Sequence, residues 1–400
     1  MSNNDKKTLL VLAASHYQLE AIETARRLRY RVITTDNVPD NPGHALADRS
    51  YGADTTDIQT VLGIARAEQI AGIIASCTDV AVPTAAVVAH ELGLAGVPPE
   101  AARIVTDKVA FRRFLDEQRL PRPGFVELSG GDGPPADLFN SGERRIVKPD
   151  RSSGSKGIFI VRSAEELRAR LPASRSFSPT GTVVVEEFLE GHQGTCEGVL
   201  EGGRIRFHSI LDRQTAPAPF VTTTGHHLPT TLGPEACGRL LARLEDVWRR
   251  LGVTDGPFDC DFVWARDEIY LLEITPRLGG NSISQLLRLA TGFDLVEYAV
   301  RHACGDPVAP PDAPAIQPSA VVLLGVWNEG VLQYAVDEVP RIRAEPWVKS
   351  LAFDVAPGVP VQPFINGRHR VGEAFVVAPD AATVAARVAE LRARLDVRAA

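Results

Sequence analysis

Apolar and polar positions follow one pattern over residues 8–105 and another over residues 106–306. Over residues 8–105, short apolar runs at 8–14, 31–36 and 71–79 alternate with helical patterns at 18–29, near 58–68, and again after residue 79. This strand-helix repetition predicts a parallel sheet covered by helices on both faces. We therefore predict an α/β domain over residues 1–105.

The turn after the first apolar run bears on what this domain binds. A dinucleotide site needs the glycines of G-x-G-x-x-G there, and the chain instead has Ser15, His16, Tyr17 and Gln18. Asp36 ends the second run, where a ribose-binding acid usually lies. Without the glycines we expect a structural domain that contributes substrate contacts.

The pattern changes over residues 106–306. Paired apolar strands separated by short turns appear at 182–189, 196–211 and 260–274, which predicts antiparallel pairing in an α+β unit. The segment 129–143 is rich in Gly, Pro and polar residues and predicts a surface loop. A proline-rich stretch then opens a C-terminal module over residues 307–400, whose last helix aligns apolar side chains on one face: Val384, Val388, Leu391 and Leu395.

Composition narrows the class of protein. The chain has 400 residues, 43 Lys and Arg against 50 Asp and Glu, and a formal net charge of −7, which makes nucleic acid an unlikely partner. Five widely spaced cysteines without a C-x-x-C pair indicate reduced thiols. No apolar stretch approaches the roughly 20 residues of a membrane span. We expect a soluble, cytoplasmic protein of two to four domains with no membrane partner.

A polar loop between two apolar runs is the first candidate for chemistry. Residues 145–161 read as a strand, a loop of small residues with Lys148 before it and Lys156 within it, and a second strand. Small residues let backbone N–H groups face an anion, and the lysines add positive charge. The spacing does not match a Walker A loop, and a hairpin with solvated lysines explains the segment equally well.

A pair of acids in the segment 259–277 is the second candidate. Read as a hairpin that turns at residues 266–268, the segment places Asp261 and Glu273 opposite each other on adjacent strands. Facing carboxylates favour a cation between them, and Mg²⁺ prefers such oxygen ligands together with substrate phosphates. Two solvated acids on an exposed sheet face are an equally weighted alternative.

A third segment, 183–191, is an apolar strand that ends in acids and a glycine. The edge of such a strand can hydrogen-bond an adenine through its backbone, although acid-tipped strands are common. Taken in order, Asp107-Lys108-x-x-Phe111, the 145–161 loop, this strand, and the 261–280 hairpin resemble the ATP-grasp ligase superfamily, which includes biotin carboxylase, D-alanine:D-alanine ligase and L-amino acid ligases. The resemblance covers residues 8–305 closely and the C-terminal module more loosely.

The resemblance implies a fold and a nucleotide site. The fold is a Rossmann-like, parallel-sheet pre-ATP-grasp domain (1–105), an ATP-grasp domain of two α+β subdomains (106–306, lid subdomain about 120–190) and a small C-terminal α+β module (307–400). The implied cofactors are ATP and Mg²⁺ or Mn²⁺, with Asp261 and Glu273 as metal ligands, Arg277 and Lys156 as catalytic cations, and a set of ATP contacts. These contacts are Lys108, Lys148, Ser153, Gly154, Ser155, Glu186, Glu187, Phe188, Leu189 and Gln193, with Glu186 near the adenine amino group.

Two positions depart from the superfamily pattern. Thr275 stands where relatives often have an asparagine that contacts the metal, and Gln193 stands where many have an acid that holds the ribose. A glutamine can still hydrogen-bond a hydroxyl, so we expect a change in affinity and not a loss of activity.

The substrate side of the site is implied by two further segments. His226 and His227 resemble a G-H-x-x-P segment that lines the acceptor side in L-amino acid ligases, although a pair of satisfied histidines is the commoner outcome. Gly279 and Gly280 would present N–H groups to a substrate carboxylate, with Asn281 fixing its orientation; a helix cap is the alternative.

The resemblance favours an ADP-forming ligase that makes a carbon–nitrogen bond. Mg·ATP would phosphorylate a small-molecule carboxylic acid, for which an amino acid is the expected class, and an amine would attack the acyl phosphate. A purine-type or biotin-type carboxylase and a non-catalytic nucleotide-binding module are the alternatives. We further expect a homodimer.

Overall fold

The computed structural model describes residues 6–135, 137–139, 142–217, 220–312 and 314–400, and it begins with a parallel sheet. The strand order is β3-β2-β1-β4, with every pair parallel, as predicted. All five residues of β1 are buried because helices cover both faces of the sheet. The elements are β1 (Thr8–Leu12), α1 (Leu19–Arg27), β2 (Arg31–Thr35), α2 (Gly43–Leu46), β3 (Arg49–Tyr51), α3 (Ile58–Ala67), β4 (Gly72–Ile74), α4 (Val82–Leu92) and α5 (Pro99–Val105).

A small antiparallel sheet follows and carries Lys148 and Glu186, two of the predicted site residues. Helix α6 (Lys108–Glu117) begins at Asp107, whose side chain caps it by accepting from the Ala110 N–H. The sheet order is β5-β8-β6-β7, and the polar loop of the sequence analysis joins β6 to β7 as predicted. The elements are β5 (Phe125–Leu128), β6 (Arg145–Pro149), β7 (Phe159–Val161), α7 (Ala164–Arg175) and β8 (Val183–Glu187).

An eight-stranded sheet forms the centre of the molecule, in the order β13-β12-β9-β10-β11-β14-β18-β16. Its first part contains the antiparallel pairs that the sequence predicted. The elements are β9 (His192–Glu201), β10 (Arg204–Thr215), β11 (Thr223–Leu228), α8 (Pro234–Arg250), β12 (Gly256–Ala265), β13 (Glu268–Thr275), α9 (Ile283–Thr291) and α10 (Leu295–Ala303).

One face of this sheet is filled by helix α8. The helix buries Leu240, Leu244 and Trp248, and the Trp248 ring lies 6.0 Å from that of Phe258 on β12. Because side chains alternate along a strand, the residues between these core positions point to the opposite face. We call this opposite face the site face; on β9, β12 and β13 it carries Thr195, Glu197, Asp259, Asp261, Glu273 and Thr275.

The C-terminal residues continue the same sheet. Strand β14 pairs with β11, so the sheet crosses the position at which the sequence analysis placed a domain boundary. The four apolar residues predicted on one face of the last helix are all buried. The elements are β14 (Ser319–Leu324), β15 (Gly330–Gln333), α11 (Glu338–Arg343), β16 (Val348–Phe353), β17 (Pro360–Val361), β18 (Gly372–Val377), α12 (Ala381–Leu395) and β19 (Arg398–Ala399).

Within the described residues, no helix has the length and apolar character needed to cross a membrane. The five cysteines are free thiols. The division into domains at 105 and 306 stays a prediction.

Candidate active site

The two carboxylates of the predicted metal pair lie opposite each other on β12 and β13. Asp261 is in register with Glu273, whereas the next residue, Phe262, is in register with Leu271. Leu272 is therefore an extra, bulged residue. Without it, strand alternation would turn Glu273 to the same side as Leu271, which is buried in the core; the bulge turns it to the site face beside Asp261.

Cationic side chains surround this pair. Lys108 Nζ lies 3.5 Å from Glu273 Oε1, and Arg213 Nη1 lies 3.2 Å from Asp261 Oδ2. Asp261 also accepts a hydrogen bond of 2.6 Å from the Thr195 hydroxyl. The carboxylates are thus held by basic and hydroxyl groups that leave part of each open.

These residues suit a magnesium ion. Asp261 and Glu273 offer hard oxygen ligands, and the buried Thr275 hydroxyl has no hydrogen-bond partner among the described residues. The described residues contain no cluster of three or more His, Cys, Asp or Glu that could hold a metal ion. Phosphate oxygens and water would therefore complete the shell of an ion held by this pair, and the metal role of the pair stays a prediction.

Arg277 lies just beyond β13, and two acids hold its guanidinium. Its Nε donates to Asp79 Oδ1 at 2.9 Å, and its Nη1 donates to Asp259 Oδ2 at 3.1 Å. Burial alone would lower the pKa of Arg277, but Asp79 and Asp259 outweigh burial and raise it. Asp79 follows β4 of the N-terminal sheet, so this ion pair joins the two sheets at the site.

Two further acids on the site face support this arrangement. Glu197 on β9 is in register with Asp259 on β12 and is fully buried. Burial raises the pKa of Glu197 well above its ordinary value and raises that of Asp259 to about 7, even though Arg277 counteracts the shift at Asp259. Glu197 Oε1 accepts from the Gly279 N–H. That N–H is therefore not free for a substrate carboxylate, which corrects the role predicted for Gly279.

The residues after Gly279 adopt an uncommon backbone. Asn281 and Ser282 have φ values of 56° and 59°, and Ser282 precedes α9 without a side-chain cap hydrogen bond. The Ser282 hydroxyl instead donates to Glu373 at 2.6 Å. Ser282 is thus the N-cap residue of α9, as the alternative prediction stated, although its hydroxyl does not bond the helix N–H groups. Substrate contacts of Gly280 and Asn281 stay predictions.

Lys148 and Glu186 form a buried ion pair on the small sheet. Glu186 accepts from Lys148 Nζ at 2.6 Å and from Arg112 Nε at 2.7 Å, and its side chain is 1% exposed. Burial would raise the pKa of Glu186, but Arg112 and Lys148 lower it to about 2. Both carboxylate oxygens are thus engaged. This favours a positioning role toward Lys148 over the contact with the adenine amino group that was predicted for Glu186.

The remaining predicted adenine contacts lie at the carboxyl end of β8, in the link to β9 and at the start of β9. The Glu187 N–H donates to Gly124 O at 2.8 Å and the Phe188 N–H donates to Arg144 O at 3.1 Å. Leu189 is buried, and Gln193 is in register with Val263 on β12. The structure brings these residues together, and their contacts with a nucleotide stay predictions.

The polar loop between β6 and β7 approaches the carboxylate pair. Lys108 Nζ, which lies near Glu273, also donates to Ser152 O at 2.8 Å. Gly154 and Ser155 have φ values of 68° and 61°, a backbone that favours glycine and makes a tight turn. Burial lowers the pKa of Lys156, Arg368 lowers it further, and Asp79 partly offsets both. The loop, which includes Ser153, therefore extends from Lys108 toward Asp79, the partner of Arg277.

The two histidines lie on β11. His226 is 1% exposed, in register with Arg213, and neither ring nitrogen has a hydrogen-bond partner among the described residues. Burial lowers its pKa to about 3, so the ring is neutral. His227 is half-buried, and burial also lowers its pKa. A neutral, unpartnered imidazole beside the Arg213–Asp261 ion pair is consistent with the predicted substrate contact, which no observation here tests.

Sequence reasoning missed several residues of this site. Arg112 follows Lys108 by four positions and so shares its helix face, and Asp259 precedes Asp261 by two positions on one strand face. These two spacings could therefore have identified Arg112 and Asp259 from the sequence. Asp79, Glu197 and Arg213 carried no comparable local signal, because only the fold brings them to the site.

Comparison with known proteins identifies the family. Residues 142–285 match the model of the ATP-grasp domain. Residues 328–400 match the model of the L-amino acid ligase C-terminal domain 2. The chain contains an ATP-grasp domain. The mixed α/β architecture with a parallel N-terminal sheet, an ATP-grasp domain and a C-terminal module is thereby confirmed.

Relatives of this ATP-grasp chain cover its whole length. The formate-dependent phosphoribosylglycinamide formyltransferase of Bordetella parapertussis is 26% identical over 98% of this chain and 95% of that protein. The L-amino acid ligase of Bacillus licheniformis superimposes with a TM-score of 0.81 at 19% identity, over 99% of this chain and 98% of that one. The phosphoribosylglycinamide synthetase of Anaerococcus prevotii gives 0.75 at 16% identity, over 98% and 99%.

The match to the ATP-grasp domain indicates the chemistry as well as the fold. ATP-grasp ligases use ATP and Mg²⁺, as the sequence analysis expected. The structural likenesses by themselves show only the common fold.

Proposed function

We propose that this protein is an ATP-dependent carboxylate–amine ligase. It phosphorylates a carboxylic acid to an acyl phosphate and couples it to an amine, with release of ADP and phosphate. The observation that carries the proposal is the arrangement on the site face: the Asp261–Glu273 pair in register, Lys108 at 3.5 Å from Glu273, and Arg277 just beyond the same strand.

Each group has a physical task in phosphoryl transfer. Asp261 and Glu273 would hold Mg²⁺, which would supply charge neutralisation and polarisation at the transferred phosphoryl group. Lys108 and Lys148 add positive charge on the nucleotide side. Arg277 presents a planar guanidinium, aimed and kept in place by Asp79 and Asp259, to the oxygens of the transferred phosphoryl group.

An amino acid is the proposed acid. The C-terminal match to the L-amino acid ligase model supports this choice, because the matched residues continue the central sheet through β18. β18 pairs with β14, which in turn pairs with β11, the strand of His226. A purine-type or biotin-type carboxylase stays the second candidate. The full-length relative that uses formate supports a small acid such as formate or bicarbonate.

The first experiment measures ADP release with each amino acid, formate and bicarbonate, singly and in pairs with amines. An amino-acid ligase requires an amino acid for ADP release and yields an amide. Release with formate or bicarbonate alone would favour the second candidate. Release with no acid of the panel would contradict both.

The second experiment follows the carboxylate oxygen. With ¹⁸O in the substrate carboxylate, acyl phosphate formation transfers one labelled oxygen to the released phosphate. Label in AMP would show that the activated intermediate is an adenylate and not an acyl phosphate. Label in neither product would refute carboxylate activation.

A homodimer and a cytoplasmic location also stay proposals that rest on the family resemblance. Sedimentation equilibrium at micromolar concentration tests the first, and fractionation of the source cells tests the second. A monomer throughout the concentration range would contradict the dimer.

A further inference from the structure

Residues 277–282 lie between β13 and α9, and we call them the post-strand segment. The segment begins with Arg277, whose guanidinium two acids hold. Gly279 is bonded at both of its backbone groups, because its N–H donates to Glu197 and its carbonyl accepts from Cys77 Sγ at 3.0 Å. The first half of the segment is therefore fixed by residues of the N-terminal and central sheets.

The second half of the segment has a strained backbone. Asn281 and Ser282 both adopt the left-handed conformation, with φ values of 56° and 59°. This conformation is uncommon for residues other than glycine, and residues that adopt it usually occur singly. A backbone strained in this way persists only where the surrounding contacts hold it. The contacts of these two residues therefore decide the shape of this part of the site.

Ser282 does not play the usual local role of a serine at a helix start. An N-cap serine ordinarily has an extended backbone, and its hydroxyl accepts from an N–H of the first helical turn. Ser282 is the N-cap residue of α9, yet its hydroxyl donates to Glu373 Oε2 at 2.6 Å. A bond within the helix end is thus replaced by a bond to a residue 91 positions away, in the C-terminal module.

Glu373 is itself held on several sides. It lies on β18, which pairs with β14 on one side and with β16 on the other, so neighbouring strands fix its backbone. Arg370 Nη1 donates to the same Glu373 oxygen at 2.8 Å, and Arg370 Nε donates to Asp354 at 3.1 Å. Hydrogen bonds with a charged partner are stronger than neutral ones. The chain Arg370–Glu373–Ser282 therefore links the C-terminal module to the post-strand segment.

We propose that Glu373 is a positioning residue for the ligase reaction. Its carboxylate, held by Arg370, bonds Ser282 and stabilises the left-handed turn, so that Asn281 faces the acid that is phosphorylated beside Arg277. The inference rests on the proposed function and extends it, because it gives the C-terminal module a task in the binding of the first substrate. Arg277 keeps its own two acids, so loss of Glu373 affects the turn and leaves the nucleotide side intact.

The test uses variants of the full-length chain. Glu373→Ala removes the acceptor of the Ser282 hydroxyl, whereas Glu373→Gln keeps an oxygen there. Ser282→Ala and Ser282→Gly both remove the hydroxyl, but only glycine adopts the left-handed conformation freely. Glu338→Gln is the matched control, because two arginines also hold Glu338 and, within the described residues, it bonds no residue of the post-strand segment. Thermal melting shows whether each variant is folded.

ADP release is measured with the panel of amino acids, formate and bicarbonate given above. For the acid that supports wild-type turnover, we expect kcat/KM to fall about tenfold in Glu373→Ala and in Ser282→Ala. Glu373→Gln, which keeps an acceptor, and Ser282→Gly, whose turn is unstrained, stay within about threefold of wild type. The KM for ATP stays within about twofold in every variant, as do all parameters of the control.

Hydrogen exchange gives a second readout, which does not depend on turnover. Glu373→Ala leaves the sequence of the post-strand segment unchanged, so the intrinsic exchange rates of its N–H groups are those of wild type. We expect exchange at residues 280–283 to become about tenfold faster in this variant, because the turn opens more often. Residues of β1 are fully buried and provide the internal reference.

The positioning role and the ligase fail in different ways. Ser282→Gly as slow as Ser282→Ala, a rise in the KM for ATP that equals the loss for the acid, or unchanged exchange in Glu373→Ala overturns the positioning role, while wild-type turnover upholds the ligase. A wild-type chain that releases no ADP with any acid of the panel overturns the proposed function, and the positioning role with it.

Discussion

Glu186 illustrates how one buried side chain organises others. Its two oxygens neutralise Arg112 from α6 and Lys148 from β6, and the Arg112 guanidinium also donates to Leu272 O of β13 at 2.8 Å. A single carboxylate thus ties the small sheet to the hairpin with the metal pair. Breaking such a buried pair leaves unpaired charge, which costs far more than loss of an exposed pair.

The first prediction at the level of single residues concerns Glu273. Glu273→Gln keeps the shape of the side chain and removes one ligand charge, so we expect turnover to fall by two orders of magnitude or more with little change in melting temperature. Steady-state ADP release at saturating Mg²⁺ measures it. Glu268→Gln, at the start of the same strand, is the matched control. Turnover of Glu273→Gln within tenfold of wild type would refute the metal assignment.

His226 gives a prediction about pH. Its pKa is about 3 in the folded chain, below the ordinary 6.5, so between these values the unfolded chain binds a proton that the folded chain does not. The stabilisation is present above pH 6.5 and is lost as pH falls toward 3. At about 1.36 kcal/mol per unit, the loss by pH 5 is about 2 kcal/mol.

Urea unfolding between pH 7 and pH 5 measures this contribution. The free energy of unfolding of His226→Gln should fall less with decreasing pH than that of wild type, whatever its value at pH 7. His90→Gln, at an exposed position, serves as control. Parallel pH profiles for wild type and His226→Gln would show that His226 is not a buried neutral histidine.

Two elements position the chemistry. The bulge in β13 turns Glu273 to the site face, and the loop between β6 and β7 approaches the site from the other sheet. The loop consists mainly of small or polar residues, and Ser152, Ser153 and Ser155 are only partly buried. The start of the loop is anchored, since Asp150 bonds Ser178 and Thr180 and Arg151 bonds Asp107. Beyond Arg151, the bonds to the rest of the molecule include Lys108 Nζ to Ser152 O and the Gly367 N–H to Gly154 O.

We therefore predict that nucleotide orders this loop. Few apolar contacts leave residues 151–157 free to open on their own, and phosphate oxygens would add hydrogen-bond acceptors for their N–H groups. Hydrogen exchange should be fast there without ligand and slower by about tenfold or more with Mg·ATP. Residues of β1, which are fully buried, provide the internal control. Equal protection with and without nucleotide would contradict a lid role.

At the scale of the whole molecule, the central sheet joins the last third of the chain to the active site. β14 pairs with β11, and apolar side chains from both parts share one core, including Leu228, Val321 and Phe375. Removal of the C-terminal residues would expose this core and leave β11 as an open edge.

We predict that the fragment 1–306 does not fold cooperatively. Its far-ultraviolet circular dichroism should melt over a broad range, or the fragment should aggregate, whereas the full chain melts in a single transition. A fragment 1–395, which loses only β19 and its flanking residues, is the control and should keep the sharp transition. A sharp melt of the 1–306 fragment would establish the predicted domain boundary.

The sequence alone determined the local elements and the contacts that follow from them. Periodicity identified the parallel N-terminal sheet and the buried face of α12, because side-chain direction repeats every 2 residues in a strand and every 3.6 in a helix. A short polar turn between apolar strands indicated the β12–β13 hairpin. The pairing of Asp261 with Glu273 also needs the bulge at Leu272, because the observed pairing of Ala265 with Glu268 would otherwise place Leu272 opposite Asp261. The order of the motifs gave the family.

Tertiary structure alone decided which distant groups share the site. Arg277 meets Asp79 from 198 positions away, Glu186 meets Arg112 across 74, and Gly367 reaches the polar loop from the far end of the chain. The family resemblance assigned Glu186 to adenine, and the glycines after Arg277 suggested that the Gly279 N–H binds substrate. The observed partners, Arg112 and Glu197, lie 74 and 82 positions away, so the sequence did not indicate them. Burial and long-range pairing depend on the packing of the sheets against one another. Local periodicity does not predict that packing, because it reports only which face of an element is apolar.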